Sequence, residues 1–200
     1  IQESIIKTYD NKTHTFKNII ASFNPEKKNN RIALFAHWDS RHIADSPLAD
    51  HDTRNKNSPI LGANDGGSGV AVLLELSRQF SVNAPTIGVD IILFDAEDYG
   101  QPEDSKFEYM QDSWCLGSQY WSKKPHKRNY TARYGILLDM VGAENATFYK
   151  EGFSRQFADR ILNKIWSQGQ KLGYDRYFIN KDGPQITDDH YYVNTIAKIP

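Results

Sequence analysis

Apolar and polar positions along this chain fall into short blocks that set out an alternation of strands and helices. Ile87 to Leu93 is an almost unbroken apolar run rich in β-branched residues. A run of this kind reads as a strand covered on both faces, here spanning Gly88 to Phe94. Arg31 to Ala36 and Tyr134 to Met140 read as strands too. Thr15 to Phe23 is a further strand, and the polar turn from Asn24 to Asn30 predicts that it forms an antiparallel hairpin with the strand from Arg31. Helical spacing of apolar residues places helices over Ser68–Phe80, Trp114–Ser122 and Phe153–Leu172. Two long polar stretches, Trp38–Leu61 and Gln101–Asp112, are loops of a length that is often functional in compact domains. The order ββαβαβα predicts an α/β fold, a three-layer α/β/α sandwich with a mixed central sheet. Residues 1–200 are expected to form a single α/β domain. Thr195–Pro200 reads as the approach to another strand, so the chain is expected to be a fragment lacking a C-terminal strand and helix.

Composition narrows the function. The formal net charge is −1, which gives no electrostatic case for nucleic acid as a partner. No run approaches the length of a transmembrane segment. Cys115 is the one cysteine of the chain, so no internal disulfide can form, and a buried, inert thiol is its expected role.

The chemistry sits at the ends of the apolar runs. The strand ending at Phe94 leads into Asp95-Ala96-Glu97-Asp98, with two adjacent carboxylates where a strand leaves the sheet. Continued strand alternation would point them apart, one toward a metal and the other toward substrate. Ile32–Ala36 ends in His37-Trp38-Asp39-Ser40, and Ile136–Leu138 ends in Asp139. The Gly-rich segment Gly62–Gly69 holds Asp65 and opens a helix, and Asp188-Asp189-His190 follows Gly183-Pro184. Ligands of open α/β sheets bind at the carboxyl ends of the strands, where these groups could converge. Acids and imidazole without a set of cysteines suit zinc or another divalent cation at a catalytic site.

As a set, in the order His37-x-Asp39, Asp65, Glu97-Asp98, Asp139-Met140-Val141-Gly142-Ala143 and Asp188-Asp189-His190, these motifs resemble the zinc-dependent aminopeptidase superfamily, the M28 clan. Within it they resemble the animal-type, or type II, glutaminyl-peptide cyclotransferases, especially the bacterial branch. The resemblance implies a glutaminyl cyclase that converts the N-terminal glutamine of peptides or proteins to pyroglutamate and releases ammonia. It implies one Zn²⁺ per site, held by Asp65, Asp98 and a His expected beyond Pro200. Glu97, Asp139 and Asp188 are the implied catalytic acids, and His37 and His190 support them from behind. Trp114 is a candidate wall of the glutamine pocket. Where animal cyclases usually have Glu, this chain has the shorter Asp98. Periplasmic or secreted location follows from the resemblance alone. The alternatives are a two-metal aminopeptidase, with His37 and Asp139 among the ligands, and a non-catalytic binding domain on the same scaffold.

Overall fold

The computed structural model describes residues 1–45 and 56–200, so the middle of the expected Trp38–Leu61 connection lies outside the described residues. Among the described residues, seven strands and four helices follow in the order β1 (Gln2–Lys7), β2 (Thr13–Phe23), β3 (Arg31–His37), α1 (Gly67–Val82), β4 (Gly88–Phe94), α2 (Leu116–Lys123), β5 (Gly135–Leu137), β6 (Phe148–Lys150), α3 (Gly152–Lys171), β7 (Phe178–Asp182) and α4 (Asp189–Tyr192). A π-helical turn, Val193–Ala197, comes last.

The central sheet has the order β1-β2-β4-β3-β5. β3 pairs in parallel with both β4 and β5, while β1–β2 and β2–β4 are antiparallel, which makes the sheet mixed. Its continuous apolar runs have the expected cause. Leu34, Ala36, Val89, Ile91 and Leu93 pack with Leu73 and the flanking residues of α1. The alternate positions Ala33, Phe35, Ile92 and Phe94 pack with Trp121 of α2 and with Val193 and Ile199. The Phe35 and Phe94 rings stack 5.3 Å apart, and Trp121 meets Phe35 edge-on at 5.8 Å. Both faces of β3 and β4 are therefore covered by helices.

Two expectations are corrected. β2 and β3 do not form a hairpin, because β4 lies between them. β2 alternates buried with exposed positions, whereas β3 and β4 are buried almost throughout. The two almost wholly buried strands thus take the centre, and the half-exposed strand is displaced outward. Thr195–Pro200 is not an extended approach to a strand: its first residues belong to the π-helical turn. The Thr195 hydroxyl donates to the Tyr191 carbonyl, and Asn194 Nδ2 donates to the Ile199 carbonyl, each at 2.7 Å. Pro200 still reaches β5, where its carbonyl accepts from Gly135 N at 2.7 Å. The polar strands β1, β6 and β7 carry no strong periodicity and were not expected.

α3 begins at Glu151, whose carboxylate accepts from Phe153 N at 2.8 Å and Ser154 N at 2.6 Å. Burial alone would raise this carboxyl. Hydrogen bonds from His190 and from the backbone N–H groups of Ser154, Phe153 and Ile186 outweigh burial and hold it at about 2. A folded-state value below the unfolded one gives stability that is present above the ordinary carboxylate range and lost as pH falls through the folded value. Glu151→Gln should therefore be less stable than the parent at neutral pH. Denaturant titrations at a series of pH values should show that gap closing as pH falls from about 4.5 to about 2.

Candidate active site

The register of the three parallel strands builds the site. His37 at the end of β3 lies opposite Phe94 at the end of β4, and Phe35 lies opposite Leu137 at the end of β5. Trp38–Asp39, Asp95–Asp98 and Leu138–Asp139 therefore leave the sheet along one edge. The ends are tied together, with Trp38 N donating to the Phe94 carbonyl and Leu138 N to the Phe35 carbonyl, each at 2.9 Å. Asp39 then sets the turn after β4, its two carboxylate oxygens accepting from Glu97 N at 3.1 Å and Asp98 N at 3.0 Å. Asp65 arrives from the segment before α1. Its neighbour Gly66 has φ +77°, and a Cβ there would come within 2.7 Å of the Asp39 carbonyl oxygen, so only glycine fits.

His37 is the hub, and it is fully buried. Its Nε2 lies 3.0 Å from Asp65 Oδ1 and 3.1 Å from Asp139 Oδ1. Its Nδ1 lies 3.4 Å from Asp39 Oδ1, outside hydrogen-bond alignment. Burial works against a charged ring here, but Asp139, Asp39 and Asp65 outweigh it and raise the imidazole well above its ordinary range. Ligand atoms of His37, Glu97 and Asp98 lie within 4.8 Å of one another, as do those of His37, Asp65 and Asp139 and those of Glu97, Cys115 and Asp188. Glu97 and Asp98 thus share the neighbourhood of one imidazole, while Glu97 alone also joins Cys115 and Asp188. They lie beyond β4, after Ala96 in the left-handed region at φ +55°, so the strand no longer sets their directions.

The acids crowd one another. Burial, then Asp189, Asp188 and Asp98, push Glu97 up to about 10. Burial and Asp65 push Asp98 up to about 7. Burial and Asp139 push Asp188 up to about 6. Asp189 is wholly buried, and burial with Asp188 beside it raises it well above the carboxylate range. These residues fit a divalent cation: Asp98 Oδ2 is buried without a hydrogen-bond partner, its neighbour in charge is Asp65, and the donors are oxygen and nitrogen.

The remaining predicted residues lie around this cluster. Asp188 caps α4, accepting from Asp189 N at 2.5 Å. His190 contacts Glu151 Oε2 at 3.1 Å. Trp114 is partly exposed and borders a cavity of about 250 Å³ that Gln101, Phe107, Met110 and Asp112 also line. Its ring lies against Gly100, where any Cβ would come within 1.9 Å of it, and the Arg41 guanidinium stands 4.3 Å from its centre. Trp114 precedes α2 and is not part of it, because Cys115 at φ +56° delays the helix. Cys115 is buried as expected, and its thiol contacts Glu97 Oε1 at 3.3 Å. Burial and the charges of Asp189 and Glu97 raise that thiol far above its usual range, which keeps it an unreactive donor.

Three residues of this frame were not foreseen in their roles. Asp39 stood in the His37-x-Asp39 motif without a function. Arg41 donates to the carbonyls of Asp98 and Gly100, each at 2.7 Å, and pairs with Asp45. Glu151 sits at a helix start that the periodicity did mark, but its partners are remote in sequence.

The model of peptidase family M28 matches residues 18–200, and the chain belongs to that family. Similar crystal structures include a Zn-dependent exopeptidase from Parabacteroides distasonis, at 54% identity over 100% of this chain and 66% of that one, with a TM-score of 0.93. The glutaminyl cyclase of Tannerella forsythia is 52% identical over 100% of this chain and 67% of its own, with a TM-score of 0.91. That of Bacteroides thetaiotaomicron, bound to N-acetylhistamine, is 50% identical over 99% of this chain and 66% of its own, with a TM-score of 0.93. The chain spans about two thirds of the length of these proteins. No curated protein matches it. Among the described residues, no helix is long and apolar enough to cross a membrane.

His37→Ala should leave Asp39, Asp65 and Asp139 facing one another without a cation. Breaking a buried ion pair costs about 3–5 kcal/mol, and the partial exposure of Asp65 and Asp139 places the loss near the lower figure. Chemical denaturation of the metal-free variant at neutral pH measures it. A loss below about 1 kcal/mol, the range of a surface pair, would contradict the hub role.

Proposed function

We propose that this site catalyses glutaminyl cyclisation, converting the N-terminal glutamine of peptides to pyroglutamate with release of ammonia. The observation that carries the reading is the gathering of Glu97, Asp98, Asp65 and Asp139 around one buried imidazole, with Asp188 beside Glu97, in a chain half identical to glutaminyl cyclases. Asp65 and Asp98 would hold a zinc ion, whose contribution when bound is Lewis-acid polarisation of the γ-amide carbonyl.

The chain's own groups supply the rest. The α-amine nitrogen attacks the γ-carbonyl carbon of the same residue, so holding the glutamine folded supplies much of the acceleration. Glu97, beside Asp98 but free of the metal, takes a proton from that amine and returns one to the departing nitrogen as the C–N bond of the amide breaks. Asp139 and Asp188 hold the amide nitrogen. Burial, with Asp139 beside it, raises Asp188 to about 6, so this carboxyl can both accept from the –NH₂ and, when protonated, donate to the leaving ammonia. Trp114 forms an apolar wall beside the cavity, and the rest of the peptide extends away from it. His37 holds Asp65 and Asp139 apart and aligned. A periplasmic or secreted setting suits an enzyme acting on mature peptide ends.

One observation favours a second reading. His37, Asp65 and Asp139 form a metal-competent group of their own, which a two-metal aminopeptidase would use. Incubation of the intact protein with a Gln-initiated dipeptide and with an aminoacyl amide separates the two readings. Ammonia and a pyroglutamyl product with one zinc per chain support the cyclase. Free amino acid with two metals per chain would replace it by the peptidase.

Glu97→Gln should keep its zinc and lose about 10²-fold or more in turnover, the scale of general acid–base catalysis. Near-normal turnover in a metal-replete variant would remove Glu97 from the mechanism. Asp65→Ala and Asp98→Ala should each lose bound zinc on dialysis, measured by elemental analysis, because a site with few ligands cannot spare one.

A further inference from the structure

The loop that carries Asp188 has no regular structure between Gly183 and Asp188, yet it must place a carboxylate accurately. Its anchor is the junction of β6 and α3. Gly183 N donates to the Lys150 carbonyl and Gly152 N to the Pro184 carbonyl, each at 2.8 Å. The two segments approach so closely that a Cβ on Gly152 would lie 2.5 Å from Gln185 Cγ. Beyond this zipper the Glu151 side chain takes over. Its Oε1 accepts from Ile186 N at 2.9 Å, and its Oε2 meets His190 Nε2 at 3.1 Å. Asp188 lies midway between these two points of attachment.

Glu151 also caps α3, but a cap does not require glutamate. Ser, Thr, Asp and Asn are the favoured capping residues, being short enough to fold back on the first turn. Glutamate is longer than capping needs, and the extra reach is what lets one carboxylate serve two helix N–H groups, the Ile186 N–H and the His190 ring together. We propose that Glu151 is a positioning residue for Asp188: its carboxylate clamps the 183–190 loop on both sides of that acid and fixes where it meets the substrate amide. The inference rests on the reading of Asp188 as a group that holds the leaving amide.

The test separates the clamp from the cap. Glu151→Ser restores a favoured cap but cannot reach Ile186 N or His190. We expect a folded variant, less stable than the parent at neutral pH as Glu151→Gln is, with unchanged zinc content, a KM within about twofold and a kcat lowered roughly tenfold or more, the scale of a misplaced catalytic group. His190→Gln leaves the cap whole and opens one side of the clamp, so its kcat should fall severalfold. The double variant should fall no further than Glu151→Ser alone, because the two residues act as one unit. A folded Glu151→Ser with parental kcat would reduce Glu151 to a helix cap. If Glu151→Ser does not fold, a parental kcat for His190→Gln overturns the proposal by itself. Asp188→Asn is the control for the underlying reading: should it keep full activity, the role of Asp188 fails, whatever Glu151 does.

Discussion

Everything in this molecule answers to one electrostatic constraint. Carboxylates from five segments of the chain meet around a single buried imidazole, and like charges at such range repel. His37 meets part of the demand through Asp65 and Asp139. Arg41 is engaged with backbone carbonyls and Asp45, and its charge only partly offsets the rise of Asp98. Several of the acids therefore hold protons when no cation is present, and Asp98 keeps a buried oxygen without a partner. The site is built to be completed by positive charge, and its protein frame has to be stiff enough to hold the acids together until then. The burial of β3 and β4 on both faces supplies that stiffness.

Much of this was legible because two strong signals coincide. Gly88–Phe94 and the run from Arg31 are so evenly apolar that their central place follows from burial alone, and the polar clusters His37-x-Asp39, Glu97-Asp98 and Asp139 begin where those runs stop. Once the strands are parallel and in register, convergence of the clusters is geometry. Helices α1 and α3 were equally readable from their spacing, to within two residues at either end.

What the sequence hid depends on pairing and on left-handed backbone. A seven-residue polar turn is compatible with a hairpin and with a step across one strand, and only the relative burial of β2 and β4 decides between them. The directions of Glu97 and Asp98 follow from Ala96, and the late start of α2 from Cys115; each is a non-glycine residue at positive φ that no local pattern announces. Glu151 was hidden for another reason. Its hydrogen bonds to Ile186 and His190 join positions 35 and 39 residues apart, and nothing in either segment marks the partner.

The separation of the site residues along the chain has a consequence for how the protein comes into being. His37 meets Asp65 across 28 residues but Asp139 across 102. The parallel pairing of β3 with β4 spans α1, which lies between them in sequence. Long-range parallel contacts of this kind are formed slowly and late, because chain entropy is spent before they are rewarded. Before the sheet closes, these acids lie on separate segments of the chain. The geometry of the site therefore depends on closure of the sheet, and no single segment of the chain carries it.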